Sequence, residues 1–329
     1  VIAVMAHDQP YGHAMDSYSL SAAAKINLYL EVVGDRPDGY HELVMVMQSV
    51  GLADRVTVRR TNVPTIRLRC DHPQVPTDAT NLAYRAAALL QSRFPQAAQQ
   101  QGGIEITIEK NIPVGAGLAG GSVNAAATLV GLDLLWQLGL TQIELQTLAA
   151  ELGSDIPFCI AGGTAIATGR GEQIDTLHGL DGLYAVLAKS PTLSVSTPWA
   201  YKAYRQAFAD TYRDVKTAGK TRQERLHSSP MMTAISQQDG PAIGRHLHND
   251  LEKVVLPAHP DVAAVRAVLE AAGGLGTLMS GSGPTLFTLT NSRAEAETIA
   301  QQMRSRYAES ELGLWVAPFL PSSLQLVEG

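Results

Sequence analysis

The chain has 329 residues, 45% hydrophobic and 17% charged, with a formal net charge of −6. That length supports a globular core, in two domains by size, and the acidic balance argues against general nucleic-acid binding, which rests on basic surface. No apolar run approaches the ~18 residues a spanning helix needs. Cys70 and Cys159 form no metal motif and read as buried thiols of a reducing, cytoplasmic setting.

Residues 1–14 carry no Lys or Arg and resemble neither a secretory nor a transit signal. A poorly ordered leader over 1–16 is expected, with Met15 as a candidate start. Residues 25–33 alternate as a strand. A turn-rich loop over 34–41 contains Pro37 and Gly39, and strands are expected at 42–50, 55–59 and 65–69. An Ala- and Leu-rich helix is expected over 81–94. Gly103–Glu109 is a strand that leads into a glycine-rich stretch, and a helix over 124–138 leads out.

Thr141 and Glu144 form a capping box for a helix ending near Gly153. Strands are expected at 158–168 and 183–189. Ser196-Thr197-Pro198 opens a helix with Pro in its first turn, as favoured. The polar stretch 209–229 reads as loose. Helices follow at 241–254 and 260–272, then Gly276–Met279 and 285–290 as strands around a second glycine loop, Ser280-Gly281-Ser282-Gly283-Pro284. A helix over 292–307 and a strand over 314–318 complete an α+β pattern.

The first glycine stretch carries the clearest chemistry. Lys110, Pro113, Val114, Gly115, Ala116, Gly117, Leu118, Ala119, Gly120, Gly121, Ser122, Val123 and Asn124 stand between a strand and a helix. Glycines let the backbone curl there, and the free N–H groups of the curl and of the first helical turn then converge on one point. Added to the positive end of the helix dipole, this is a phosphate site.

Gly115, Gly117 and Gly120 also spell G-x-G-x-x-G. The acidic residue at the dinucleotide offset, Asp133, lies in a helical run rather than at a strand end, which argues against a dinucleotide site. There is no Walker loop and no protein-kinase H-R-D or D-F-G.

Phosphoryl transfer also needs a base and positive charge. Asp155 follows Gly153-Ser154 and precedes Pro157, where the backbone leaves a helix; it is a candidate base, although such an Asp often only makes a turn. Lys25 opens an apolar strand, and Asn27, two residues on, shares its face. Tyr40 and His41 close the turn-rich loop. His246, His248 and His259 lack a completing ligand pattern and read as surface or helix residues.

Taken together, Ala24-Lys25-Ile26-Asn27, Asp38-Gly39-Tyr40-His41, the first glycine stretch, Gly153-Ser154-Asp155-Ile156-Pro157 and the Ser280 loop resemble the GHMP small-molecule kinases from about Ser17 to past Thr290. The resemblance implies an N-terminal ribosomal-S5-like α+β domain (17–168) and a C-terminal ferredoxin-like α+β domain (169–329), with the active site between them. It implies ATP with Mg²⁺ and a small alcohol as substrate, no nucleic acid or membrane, and a monomer or weak homodimer.

Within the family, the Lys25-x-Asn27 pair and the Gly39-Tyr40-His41 loop point to cytidyl diphospho-methylerythritol, of the non-mevalonate isoprenoid route. Mevalonate or homoserine is the alternative. By resemblance, Lys25 and Asp155 are catalytic and residues 113–124 hold the ATP phosphates, with Asn81 and Lys110 near the adenosine. Asn27, His41, Thr197, Gly281, Ser282 and Gly283 would border the substrate, with Tyr40 and Tyr201 flanking its cytosine. No metal ligand is assigned. The family pattern has a second serine where this chain has Val123, which questions how the metal is supported.

Overall fold

Two long strands carry the fold. The computed structural model describes residues 16–212 and 229–327, so all but the last residue of the expected leader and most of the polar stretch 209–229 lie outside the described residues. β1 (Ser17–Asp35) and β2 (His41–Thr61) pair antiparallel from Ser17↔Arg59 to Asp35↔His41. Their register slips at three places, one of them between Asn27 and Tyr29. A bulge there twists the strand and re-aims the side chains beside it.

The expected strands 42–50 and 55–59 are one element. Gly51 keeps the backbone extended against Pro318, where a Cβ would lie 2.7 Å from the proline Cδ. The first half of β2 pairs with β5 (Thr164–Gly169) and the second half with β4 (Gly103–Glu109). β3 (Ile66–Cys70) lies parallel to β4 beyond it, and β6 (Gln173–Thr176) extends the sheet from β5.

Helices α1 (Leu82–Arg93), α2 (Pro95–Gln101), α3 (Gly120–Trp136), α4 (Gln142–Leu152) and α5 (Ile156–Ala161) gather beside this sheet. α3 is apolar on nearly every side, the mark of a helix inside the core. Gly131 lets it press on the sheet: a Cβ there would sit 2.7 Å from Val58 Cγ2. The capping box at Thr141 and Glu144 is present and opens α4.

A second sheet has the order β11-β7-β10-β9, all antiparallel, from β7 (Tyr184–Lys189), β9 (Gly276–Met279), β10 (Leu286–Thr290) and β11 (Gly313–Pro318). α6 (Thr197–Phe208), α7 (Pro230–Ser236), α8 (Gly240–Arg245), α9 (Glu252–Ala258), α10 (Pro260–Ala271) and α11 (Arg293–Arg306) complete the described helices. The chain crosses back to the first sheet more than once. β8 (His248–Asn249) lies parallel to β1 at Tyr29 and Leu30, and β12 (Leu324–Val327) pairs with β1 at Ser19 to Ala22. Among the described residues no helix is long and apolar enough to cross a membrane.

Three expectations need correction. Residues 158–168 are not one strand: Pro157 starts the buried helix α5, which ends at Gly162 and Gly163, both at positive φ. A short helix buried along nearly all its length shows no amphipathic period, so its apolar run passes for a strand. The single helix over 241–254 is two, because pairing of β8 with β1 pulls residues 248–249 into an extended bridge. Finally, α3 begins at Gly120, not at residue 124, so the glycines form its first turn.

Candidate active site

A cleft of about 820 Å³ lies between the β1–β2 hairpin, the first glycine loop, α6 and the second glycine loop. The first loop shapes one wall. Ala119, at φ 58, precedes α3 without any side-chain cap, and the first helical bond runs from Val123 N–H to Ala119 O at 2.9 Å. The N–H groups of Gly120, Gly121 and Ser122 therefore have no carbonyl partner within the helix. A left-handed alanine costs about 1–2 kcal/mol, and here it turns those N–H groups and the helix dipole onto one spot.

The wall is anchored at several points. Lys25 N–H donates to Leu118 O at 3.2 Å, tying the loop to β1. Ser280 Oγ donates to Gly117 O at 3.1 Å. Gly117, at φ +75, touches Ser280 O so closely that no side chain fits. Beneath the loop, Lys110 Nζ meets the fully buried Asp54 carboxylate at 2.5 Å, and the other Asp54 oxygen accepts the N–H groups of Asn111 and Ile112, both at 2.8 Å.

Asp155 stands at the N-terminus of α5 without capping it. Its carboxylate oxygen is 3.5 Å from Lys25 Nζ. Lys25 is buried and donates to Asn27 Oδ1 at 2.7 Å, so its ammonium is aimed by its neighbour two residues along the strand. The charge of Asp155 reaches other groups. Burial foremost, and that charge next, push the Cys159 thiol and the Tyr201 phenol well above their ordinary ranges.

Aromatic rings line the other end. His41 stacks on Tyr201 with centroids 5.1 Å apart and meets Tyr212 edge-on at 5.9 Å. Burial pushes the His41 pKa down; the carboxylate of Asp35 opposes this and the guanidinium of Arg205 adds to it. Arg205 is held by Asp35 at 2.9 Å. Arg170 lies over the ring of the exposed Tyr40, 5.1 Å from its centroid. Arg170 covers one face of Tyr40 and His41 one face of Tyr201, which leaves each tyrosine a face free of these partners.

The expected residues Lys25, Asn27, Tyr40, His41, Asn81, Lys110, 113–122, Asn124, Asp155, Thr197, Tyr201, Gly281 and Ser282 all line the cleft. Asn81 caps α1, accepting from Ala83 N–H at 2.8 Å, and donates to Pro76 O at 2.7 Å, so it also shapes the wall at residues 74–76. Two expected residues do not line the cleft. Val123 points into the core, fully buried. Gly283 packs on Met279, where a Cβ would lie 2.5 Å from the sulfur.

Comparison with known proteins bears on what such a cleft acts upon. The GHMP kinases N terminal domain family matches residues 81–163 and the GHMP kinases C terminal family matches residues 231–309. A 4-diphosphocytidyl-2-C-methyl-D-erythritol kinase from Gloeothece citriformis is 59% identical over 95% of this chain and 99% of its own length. One from Microcystis aeruginosa is 57% identical over 95% of this chain and 100% of its own. The chain belongs to the 4-diphosphocytidyl-2-C-methyl-D-erythritol kinases of the GHMP family.

A crystal structure of a 4-(cytidine 5′-diphospho)-2C-methyl-D-erythritol kinase superposes with TM-score 0.69 at 33% identity, over 91% of this chain and 99% of that one. A homoserine kinase from Cytophaga hutchinsonii reaches 0.72 at 20% identity, over 97% of this chain and 100% of that one. The second likeness concerns the fold alone, so backbone shape does not separate the substrates of GHMP kinases. In this member of the cytidyl kinase family, Val123 in place of serine removes nothing from the cleft, since the side chain at position 123 faces the core.

Sequence reading passed over Asp54, Arg170, Lys202 and Arg205. The last three line the cleft. Asp54 had one signal: an acid inside an apolar strand needs a buried partner. Arg170, between Gly169 and Gly171 at a strand end, had only that unusual setting.

Proposed function

We propose that the cleft transfers the γ-phosphoryl group of ATP to the 2-hydroxyl of 4-diphosphocytidyl-2-C-methyl-D-erythritol, a step of the methylerythritol phosphate isoprenoid route. Lys25 and Asp155 are the catalytic pair. Asp155 takes the hydroxyl proton as the substrate oxygen bonds to the γ-phosphorus. The bond from that phosphorus to the β,γ-bridging oxygen breaks, and ADP leaves. Lys25 orients the Asp155 carboxylate and offsets charge on the transferring group. Residues 113–122 and the start of α3 hold the phosphates through backbone N–H groups.

Among the described residues no cluster of three His, Cys, Asp or Glu forms a metal cage. The sparse carboxylate lining suits Mg²⁺ carried mainly by the triphosphate and water, and Ser122, at the first turn of α3, would hold it on the protein side. When bound, Mg²⁺ neutralises phosphate charge. Tyr40, His41 and Tyr201 form the cytosine end, and Asn27 and Thr197 border the alcohol.

The observation that carries this reading is the 3.5 Å pair of Lys25 and Asp155 in the cleft walled by the uncapped start of α3. Asp155→Asn should lower kcat by roughly 10²–10⁴-fold with the ATP Kd little changed. A folded Asp155→Asn enzyme with near-parental kcat would remove Asp155 from the chemistry.

A further inference from the structure

The second glycine loop comes from the second sheet yet borders Lys25 and its neighbour Asn27. A Cβ on Gly281 would lie 3.4 Å from Asn27 Oδ1, 3.5 Å from Lys25 Nζ and 3.3 Å from Gly117 O. Its neighbours are tied in the same region: Ser280 Oγ to Gly117 O, and Ser282 Oγ to Thr197 Oγ1 at 2.8 Å. The loop therefore meets Lys25, the phosphate wall and α6 together. Its place in the cleft depends on what holds it from behind.

Two side chains reach it: Glu252 Oε1 accepts from Met279 N–H at 2.9 Å, and Asn249 spans the segment. Asn249 Nδ2 donates to Met279 O at 2.7 Å and to Gly281 O at 2.8 Å. Its Oδ1 accepts from Leu251 N–H at 2.9 Å. Asn249 is 4% exposed. Both amide hydrogens go to the two ends of one short segment, 279–281, and the amide has no freedom to turn without losing a bond.

The backbone of Asn249 is itself fixed to the catalytic strand. It pairs with Leu30 of β1, five residues beyond Lys25. Asp250 N–H donates to Leu30 O at 3.0 Å, and Val32 N–H donates back to the Asp250 carboxylate at 2.9 Å. His248 at 3.1 Å and Lys253 at 2.8 Å hold that carboxylate from its other side.

We propose that Asn249 is a positioning residue for phosphoryl transfer: clamped on β1, its amide holds the 280–284 turn against Lys25 and Asn27 and so sets where Lys25 stands in the cleft. This rests on the reading that Lys25 and Asp155 serve the transferring phosphoryl group. The links run from β1 to Asn249 to Gly281 to Lys25, so the chain of contacts starts and ends on the same strand. Its effect falls on the catalytic step, because a misplacement of about 1 Å in a reacting constellation costs roughly 10²-fold in rate.

The test uses the whole chain with ATP, Mg²⁺ and 4-diphosphocytidyl-2-C-methyl-D-erythritol. Asn249→Leu keeps the bulk of the side chain and removes both donors; Asn249→Ser keeps one. In folded Asn249→Leu, kcat should fall roughly 10- to 100-fold with the ATP KM moving less than about threefold, and Asn249→Ser should lie between. Amides of residues 280–283 should exchange faster with deuterium.

The discriminating arm is the pair with Lys25→Met. If Asn249 acts through Lys25, the Asn249→Leu/Lys25→Met enzyme loses no more kcat than Lys25→Met alone, whereas a merely structural role makes the losses multiply. Parental kcat in folded Asn249→Leu, or in Asn249→Ser should the leucine variant not fold, overturns the proposal, as do multiplying losses. Parental kcat in Lys25→Met would instead overturn the reading of Lys25 itself.

Discussion

Removing the Asp54 carboxylate should unsettle the phosphate loop from below. Asp54 is fully buried and serves three groups of residues 110–112: the ammonium of Lys110 and the N–H groups of Asn111 and Ile112. Asp54→Asn leaves an oxygen for the two N–H groups but no charge for Lys110, whose side chain is only 4% exposed. Breaking one side of a buried ion pair costs about 3–5 kcal/mol, most of it the penalty of the charge left behind.

Adding Lys110→Met removes that stranded charge, so the double variant should recover about half of the loss or more. Urea unfolding of the parent, both single variants and the double variant measures each term, and calorimetric titration with ATP follows the loop. Lys110 Nζ lies under the first turn of α3, where a Cβ on Gly120 would come within 2.9 Å of it. ATP affinity should therefore fall in every variant lacking the pair. An Asp54→Asn protein less than about 1 kcal/mol below the parent, or a double variant less stable than Asp54→Asn, would refute the reasoning.

Gly121→Val should raise the ATP Kd at least roughly tenfold while Tm falls by only a few degrees, because its Cβ would meet only Leu82 Cδ1, at an ordinary 3.8 Å, and its branches crowd the phosphate space rather than the core; unchanged ATP affinity in the folded variant would make the loop a simple turn. Tyr201→Ala removes the ring stacked on His41 and should raise the Kd of the cytidyl substrate by roughly 5- to 150-fold with ATP affinity intact; equal loss for both ligands would place Tyr201 outside the cytosine end. Asp250 titrates at about 2 rather than 3.8, since hydrogen bonds from His248, Lys253 and Val32 outweigh its burial. Its stabilisation is complete above the ordinary value and is lost as pH falls through about 2, so Asp250→Asn should cost about 2 kcal/mol at pH 7 and flatten the acid limb of stability between roughly pH 4 and 2. A variant with the parent's acid limb would contradict this.

Much of the site was readable because its chemistry is local. A strand, four glycines and a helix start lie within one stretch, and the period of a strand places Lys25 and Asn27 on one face. Asp155 stood out for the break at Gly153 and Pro157. Harder were the elements whose state depends on burial. Residues 156–161 form a helix because α5 is enclosed by α3, α4 and the strand after it, and an all-apolar segment carries no period to say so. Residues 248–249 are extended because β1 supplies their hydrogen-bond partners, which helix signals nearby cannot reveal.

By itself, then, the sequence determined the α+β class, the glycine loop between strand and helix, and most of the residues that line the cleft, since periodicity, turn chemistry and capping act over a few residues. Tertiary structure alone decided the pairings: Asp54 under Lys110, Arg170 over Tyr40, His41 on Tyr201, and Gly281 held by Asn249 beside Lys25. Each of these joins residues far apart along the chain, from the 56 positions between Asp54 and Lys110 upward, except where Asn249 meets the loop only 32 positions on. No local pattern encodes such partners. They are chosen by which buried charges, carbonyls and ring faces the packed sheets and helices leave facing one another.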